Sequence, residues 1–88
     1  MYSIRLLSAA ARELERLDKS VAERLVRRLR WLGENVDSVT HEPLKGSLSG
    51  LYKLRQGDYR IGYELLKNEE TIIVHFIGHR RDIYKRKG

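Results

Sequence analysis

The spacing of apolar residues changes midway along this chain, and that change limits the folds open to it. In the first third, apolar residues recur three or four positions apart, which predicts two amphipathic helices at about 9–17 and 21–33. Ser8 is a suitable N-cap for the first helix, and the segment 20–23 fits a capping box for the second. In the second half, apolar and polar residues alternate, which predicts strands. The chain therefore combines a helical hairpin with a sheet.

Four segments have the strand-like pattern, and the turns between them indicate how they pair. The predicted strands are 2–6, 51–55, 59–65 and 71–77. Short turns join the last three, which should therefore form an antiparallel meander, whereas the polar stretch 33–50 predicts a loop. The expected fold class is α+β, in the order βααβββ, with an antiparallel sheet packed on one face by the α-helical hairpin.

The composition is typical of one small, basic, globular domain, expected to span residues 1–88. The chain has no cysteine, no apolar run long enough to span a membrane and no signal-peptide pattern, so we expect a cytoplasmic protein with no membrane partner. The net charge is +6, and twelve of the 18 basic residues are arginine, a side chain that suits binding to nucleic acid. A basic surface that only keeps the protein soluble is the alternative.

Strand alternation brings three of the basic residues together. If Tyr52 and Leu54 face the helices, Lys53 and Arg55 project from the opposite face of the sheet. The same parity directs Arg60 of the next strand outward. These three cations around one hairpin would repel each other unless an anion binds there, although exposed strands also carry such residues for purely structural reasons.

The segment after the last predicted strand is also basic. Gly78 allows the backbone to bend, so alternation does not predict the side-chain directions that follow it. We expect Arg80 and Tyr84 at the rim of the same basic face. The structural alternatives are that Tyr84 anchors the tail and that Arg81 pairs with its neighbouring aspartate.

The remaining polar residues argue against a metal or cofactor enzyme. His75 lies in an apolar strand, as is typical of a partly buried, hydrogen-bonded histidine, and His41 has no evident partner. No histidines or carboxylates at ligand spacing fall on one element, and no glycine-rich phosphate loop or nucleophilic triad is present, so we expect no metal and no cofactor. RNA scission by the substrate's own 2′-hydroxyl suits a site of Arg, Lys, Tyr and His, because the substrate supplies the nucleophile.

Three short strings together resemble a known family. LKG at 44–46, YRIGY at 59–63 and HRRDIY at 79–84 are similar to the RelE branch of the RelE/ParE toxin superfamily, and the resemblance extends over nearly the whole chain. The resemblance implies a toxin of a type II toxin–antitoxin system. Such a toxin is a ribosome-dependent endoribonuclease, or mRNA interferase, which cuts mRNA in the ribosomal A site without a metal and inhibits translation.

The resemblance also implies roles for individual residues. Arg60 and Arg80 would hold the scissile phosphate, and Arg55 stands where a second lysine is usual, which leaves it charge stabilisation but no proton transfer. The general base stays open between Lys53, His79 and Tyr84. The implied catalytic residues are Lys53, Arg55, Arg60, Arg80 and Tyr84, and the implied RNA- or phosphate-binding residues are Lys45, His79 and Arg81.

Two other functions remain open at this stage. One is a ParE-type toxin that acts on DNA gyrase, and the other is a basic module that binds RNA or the ribosome without catalysis. The implied partners are a RelB-like cognate antitoxin, the ribosome and mRNA. The sequence does not indicate the codon preference, the antitoxin's identity or the source organism.

Overall fold

A computed structural model of the chain describes the backbone of residues 1–85 and the side chains of residues 1–82. Two short 3₁₀ turns, Val36–Ser38 and Gly46–Leu48, lie between the helices and the main strands. In chain order the other elements are β1 (Ser3–Leu6), α1 (Ser8–Arg16), α2 (Lys19–Glu34), β2 (Glu42–Pro43), β3 (Tyr52–Gln56), β4 (Tyr59–Leu66), β5 (Thr71–His79) and α3 (Arg80–Lys85).

The elements form a five-stranded sheet of order β1-β5-β4-β3-β2. The predicted α+β class and the antiparallel meander of β3, β4 and β5 are confirmed. The sheet is mixed rather than wholly antiparallel, because β1 pairs parallel with β5, with Ser3 opposite Thr71. Only a short turn forces neighbouring strands to be antiparallel, and β1 is followed by the helical hairpin instead.

The two long helices lie close to their predicted positions, but their caps differ from the prediction. Ser8 is already helical in α1, and Ser20 lies inside α2, which begins at Lys19. The residues at the N-cap positions are Leu7 and Asp18, and neither makes a side-chain capping hydrogen bond. Packing of the apolar helix faces onto the sheet therefore decides where the helices begin.

The core lies between the helical hairpin and one face of the sheet. The helices contribute Ala10, Leu25, Leu29 and Leu32, and the strands contribute Leu54, Ile61, Tyr63, Ile72, Val74 and Ile77. The alternation of β3 and β4 is confirmed, since their predicted inward residues belong to the core or pack against it. Leu6, at the end of the edge strand β1, is 38% exposed.

Two irregular features, a tight turn and a β-bulge, shape the end of the sheet that carries the basic residues. Gly57, with φ of +60°, allows the tight two-residue turn between β3 and β4. A bulge in the β4–β5 pairing at Gly62 and Tyr63 leaves His75 without a direct partner in the register. The bend expected at Gly78 does not occur, because β5 continues to His79 before α3 begins.

Within residues 1–85, no helix is long and apolar enough to cross a membrane.

Candidate active site

The β3–β4 hairpin and β5 place the basic residues in two adjacent rows across the uncovered face of the sheet. One row consists of Lys53, Gly62 and Phe76, and the next row consists of Arg55, Arg60 and Gly78. Neighbouring strands are about 4.8 Å apart, and residues two apart on a strand are separated by about 6.6 Å. The predicted convergence of Lys53, Arg55 and Arg60 on one face therefore follows from the observed register. We call these three residues the cationic cluster.

Arg60 has the most constrained side chain of the cationic cluster, because it is only 6% exposed. Its Nη1 donates hydrogen bonds to the carbonyl oxygens of Gly57, at 3.0 Å, and Tyr59, at 3.1 Å, so the guanidinium folds back over the hairpin turn. Its buried Nε has no hydrogen-bond partner among the residues that the structure describes. A buried charge with an unused donor is costly for the fold, and it is a feature of sites that bind an anion.

Lys53 has an internal counter-ion. Its Nζ lies 3.3 Å from a carboxylate oxygen of Glu42, and the lysine side chain is 24% exposed. Glu42 belongs to β2 and stands directly opposite Lys53 in the register. A phosphate that binds Lys53 would therefore compete with this carboxylate. Arg55 is exposed beside Arg60.

Arg80, the first residue of α3, is held beside the β3–β4 turn by contacts with Asp58. Its backbone N–H donates to the carbonyl of Asp58 at 2.7 Å, and its Nε lies 3.9 Å from the Asp58 carboxylate. This contact places the first residue of α3 beside the turn that Arg60 covers. Because the Arg80 side chain is 59% exposed, its ion pair with Asp58 holds it only weakly.

The other predicted site residues are distributed differently. His79 lies on the helix-covered side, where its ring contacts Tyr59 at 5.4 Å and its Nδ1 accepts the backbone N–H of Arg81, so it caps α3. Lys45 is exposed after β2, at the far edge of the sheet. Arg81 is exposed on α3. Tyr84 lies within α3, but its side chain is outside the described residues.

His41 has two partners that the sequence did not reveal. Its Nε2 donates to the carbonyl of Val36 at 2.9 Å, and with that tautomer Nδ1 accepts the hydroxyl hydrogen of Tyr63. The rings of Tyr52, Tyr63 and His41 pack together in one aromatic cluster. This cluster attaches the loop before β2 to the core and so positions Glu42. No local pattern could reveal it, because the partners are 22 and 5 residues from His41.

Burial has a clear electrostatic consequence at Tyr63. Its side chain is 1% exposed, and desolvation, with a smaller contribution from the Tyr52 phenol, raises the pKa of Tyr63 to about 12. Tyr63 is thus a neutral hydrogen-bond donor at ordinary pH.

His75 has the structural role that its position in an apolar strand predicts, because it is partly buried and hydrogen-bonded. His75 Nε2 lies 3.0 Å from a carboxylate oxygen of Glu64, and both side chains are partly buried. Over the described residues, no group of three or more His, Cys, Asp or Glu side chains is arranged to hold a metal ion.

Comparison with known proteins identifies relatives of the whole chain. Residues 4–84 match the family model described as ParE toxin of the type II toxin–antitoxin system parDE. Toxin RelG of Mycobacterium tuberculosis is 27% identical over 85 residues, which are 97% of this chain and 98% of RelG. Toxin RelE of the same organism is 29% identical over 96% of this chain and 87% of its own length.

A solved structure with the same fold comes from the same organism. The toxin–antitoxin complex RelBE2 of M. tuberculosis contains a chain that superposes with a TM-score of 0.79 at 26% identity. The match covers 90% of this chain and 98% of that chain. The fold expected from the sequence resemblance is therefore confirmed against an experimental structure.

Proposed function

This chain belongs to the ParE toxin family of type II toxin–antitoxin systems, and we propose that it is a ribonuclease that cleaves mRNA in the ribosomal A site. Its similarity to RelG and RelE supports the RelE branch of the superfamily. The observation that carries the proposal is Arg60, which is buried beside Arg55 and has a donor without a partner in the described part of the chain. Such a site binds one phosphodiester well.

The cationic cluster and Arg80 act on the scissile phosphate. Arg60 turns its guanidinium away from the turn carbonyls so that the unused Nε can donate to a phosphate oxygen, while Arg55 and Arg80 contact the same group from the solvent side. Charge on the phosphoryl oxygens increases as the 2′-oxygen attacks phosphorus, so fixed guanidinium groups stabilise the transition state more than the ground state. Arginine suits this role because it stays protonated throughout.

Proton transfer completes the reaction without a cofactor. The 2′-oxygen forms a bond to phosphorus and the bond from phosphorus to the 5′-oxygen breaks, which gives a 2′,3′-cyclic phosphate and a 5′-hydroxyl. The 2′-hydroxyl loses its proton to a base, and the 5′-oxygen gains one. Lys53 is the proposed base, because it shares the face of Arg55 and Arg60, whereas His79 lies on the other side of the sheet. Lys53 must first separate from Glu42 and lose a proton to solvent, because only the neutral amine can accept the proton of the 2′-hydroxyl.

The remaining sequence-based assignments are kept as parts of this proposal. Tyr84 stacks on a base or exchanges a proton with the leaving group, and Arg81 contacts RNA from α3. Lys45 contacts ribosomal RNA from the edge of the sheet. His79 contributes by capping α3, and thereby orienting Arg80, in addition to any contact with RNA.

Cleavage on programmed ribosomes tests the proposal. The wild-type protein should cut mRNA in the A site, and the products should end in a 2′,3′-cyclic phosphate. A single 2′-deoxy substitution at the cleaved nucleotide should stop the reaction, because it removes the nucleophile. Arg60→Ala should lower the single-turnover rate about 100- to 1000-fold, since one oxyanion-stabilising donor is typically worth that much.

Arg27→Ala is the matched control, because Arg27 is an exposed arginine of α2. It should leave the rate unchanged when both variants have the wild-type circular dichroism spectrum. Cleavage that persists with the 2′-deoxy substrate, or equal losses in the two variants, would exclude this mechanism.

Gyrase inhibition is a second candidate function, and the description of the matching family model as a ParE toxin favours it. A gyrase supercoiling assay with cleavage-complex detection separates the two activities. Gyrase-dependent DNA breaks with intact mRNA would support the ParE-type function. Binding to ribosomes without either activity would support a non-catalytic module.

The proposed partner is a cognate antitoxin of the RelB type. The related M. tuberculosis chain was solved as a toxin–antitoxin complex, which supports this partner. We propose that the antitoxin neutralises the toxin in the cytoplasm by covering the cationic cluster. Co-expression with the protein encoded next to it should give a stable complex without ribonuclease activity, and an active complex would contradict this arrangement.

A further inference from the structure

Phe76 lies across Gly62 in the middle of the uncovered sheet face. A Cβ added to Gly62 would come within 2.2–2.8 Å of three ring atoms of Phe76, so the aromatic ring occupies the space that any other side chain would need. Gly62 is buried under this ring, while Phe76 itself is half-buried. The ring therefore covers the backbone of β4 and still has an accessible part.

The neighbours of Phe76 place it within the proposed phosphate site. Lys53 of β3 stands opposite Gly62. Arg60 precedes Gly62 by two residues and lies on the same face of β4. On the other side, Glu64 and His75 are hydrogen-bonded to each other. The row that contains Gly62 and Phe76 thus lies about 6.6 Å, or two residues along a strand, from the row of the two arginines.

Phe76 does not contribute to the packing that buries three other apolar residues of β5. Ile72, Val74 and Ile77 belong to the core between sheet and helices, whereas Phe76 faces the opposite way. A partly exposed aromatic ring with Lys53 and Arg60 on one side provides what single-stranded nucleic acids bind: a stacking surface next to charges for the backbone.

We propose that Phe76, supported by Gly62, is a nucleobase-stacking platform that holds one base of a single-stranded RNA beside the phosphate bound by the cationic cluster. The inference rests on the proposed function, since it assigns a binding subsite for the RNA substrate of that same site. Stacking recognises the flat surface of a base and tolerates every base, so the platform positions the chain without selecting a sequence.

The uniqueness of this residue allows a direct test. Phe76 is the only phenylalanine of the chain, so 4-fluorophenylalanine labelling gives a protein with one ¹⁹F resonance, at the ring itself. The probe is a short single-stranded oligoribonucleotide with 2′-O-methyl groups, which block cleavage. Its control has the same phosphates but one abasic position. The resonance should shift upfield when the intact oligonucleotide binds. The control is made as a set in which each oligonucleotide has its abasic site at a different position. One member of that set should leave the resonance close to its value in the free protein.

Variants separate stacking from simple coverage of Gly62. Phe76→Leu keeps an apolar side chain over the glycine but has no aromatic surface, and it should weaken oligonucleotide binding about tenfold at low salt, by fluorescence anisotropy. Phe76→Tyr should bind as the wild type does. Ile73→Leu, on the same face of β5, is the matched control and should also bind normally.

The outcomes distinguish this inference from the proposed function. Wild-type binding in Phe76→Leu, or the same ¹⁹F shift with every abasic oligonucleotide, would overturn the platform even if the protein cleaves mRNA on ribosomes. Conversely, base-dependent shifts in a protein that does not cleave mRNA would support the platform and contradict the ribonuclease. An absent shift at saturating oligonucleotide would also exclude the platform.

Discussion

The two faces of the β3–β4 hairpin bury side chains under different physical conditions. On the helix-covered face, Ile61 and Tyr63 are almost fully buried, and the phenol of Tyr63 is hydrogen-bonded to His41. On the uncovered face, Arg60 is 6% exposed, with two carbonyl acceptors but no partner for Nε in the described residues. The buried polar group of Tyr63 thus has a hydrogen-bond partner, whereas the buried guanidinium of Arg60, on the same strand, is only partly hydrogen-bonded.

The two faces therefore make opposite contributions to the free energy of folding. Apolar burial contributes roughly 1.5–3 kcal/mol for a large side chain, so the covered face stabilises the fold. Burying an incompletely paired guanidinium opposes folding. Under the proposed function, a bound phosphate completes the hydrogen bonds of Arg60, whereas the exposed arginines of α2 can donate to water.

Replacing Arg60 with methionine should have the largest effect, a loss of RNA cleavage without a loss of stability. The substitution removes a buried charge but keeps an unbranched apolar chain, so the free energy of unfolding should stay the same or rise by about 1 kcal/mol. RNA cleavage should fall about 100- to 1000-fold. Urea unfolding and the ribosome assay measure the two effects. A large loss of stability would mean that Arg60 is a structural residue and would remove the contrast between the faces.

The covered face should show a pH dependence that belongs to Tyr63. Its pKa is about 12 in the folded protein and about 10 when unfolded, so the folded state retains a proton that the unfolded state loses. The resulting stability is fully present below pH 10 and is lost as the pH rises from 10 to 12, by roughly 2–3 kcal/mol.

Tyr63→Phe isolates this contribution in urea unfolding measured at several pH values. The variant should be less stable by about 1 kcal/mol near neutral pH, because the hydrogen bond to His41 is lost, and less sensitive to pH above 10. Tyr2→Phe is the control and should follow the wild-type curve. Parallel curves for Tyr63→Phe and the wild type would contradict the assignment.

The smallest expected effect concerns the counter-ion of Lys53. Glu42→Gln removes a partly exposed ion pair worth about 0.2–1 kcal/mol, so oligonucleotide affinity should rise up to about fivefold at low salt and converge with the wild type at high salt. Glu13→Gln breaks the exposed pair with Arg16 on α1 and should change nothing. Equal gains in both variants would show a general charge effect rather than competition at Lys53.

The alternation of apolar and polar residues predicted the strands and the face of the sheet that each side chain occupies. It could do so because successive side chains of any strand point to opposite faces. It correctly placed Lys53, Arg55 and Arg60 on one face. It did not predict that Arg60 folds over the turn, because its acceptors are backbone carbonyls, which have no sequence signature. Glu42 was likewise missed, since a two-residue strand has too few positions for a period.

Other differences come from tertiary contacts that outweigh local preferences. Ser20 has the sequence of an N-cap, yet α2 starts before it. His41 showed no partner because Tyr63 is 22 residues away. The parallel pairing of β1 with β5 also depends on packing across the whole domain rather than on either segment alone.

That parallel pairing has a consequence for when the protein can fold during its synthesis. Ser3 pairs with Thr71, so the first strand to leave the ribosome stays without its neighbour until β5 has also emerged. Closing so long a loop is slow relative to local helix formation. The nascent chain therefore completes its sheet only after β5 has left the ribosome.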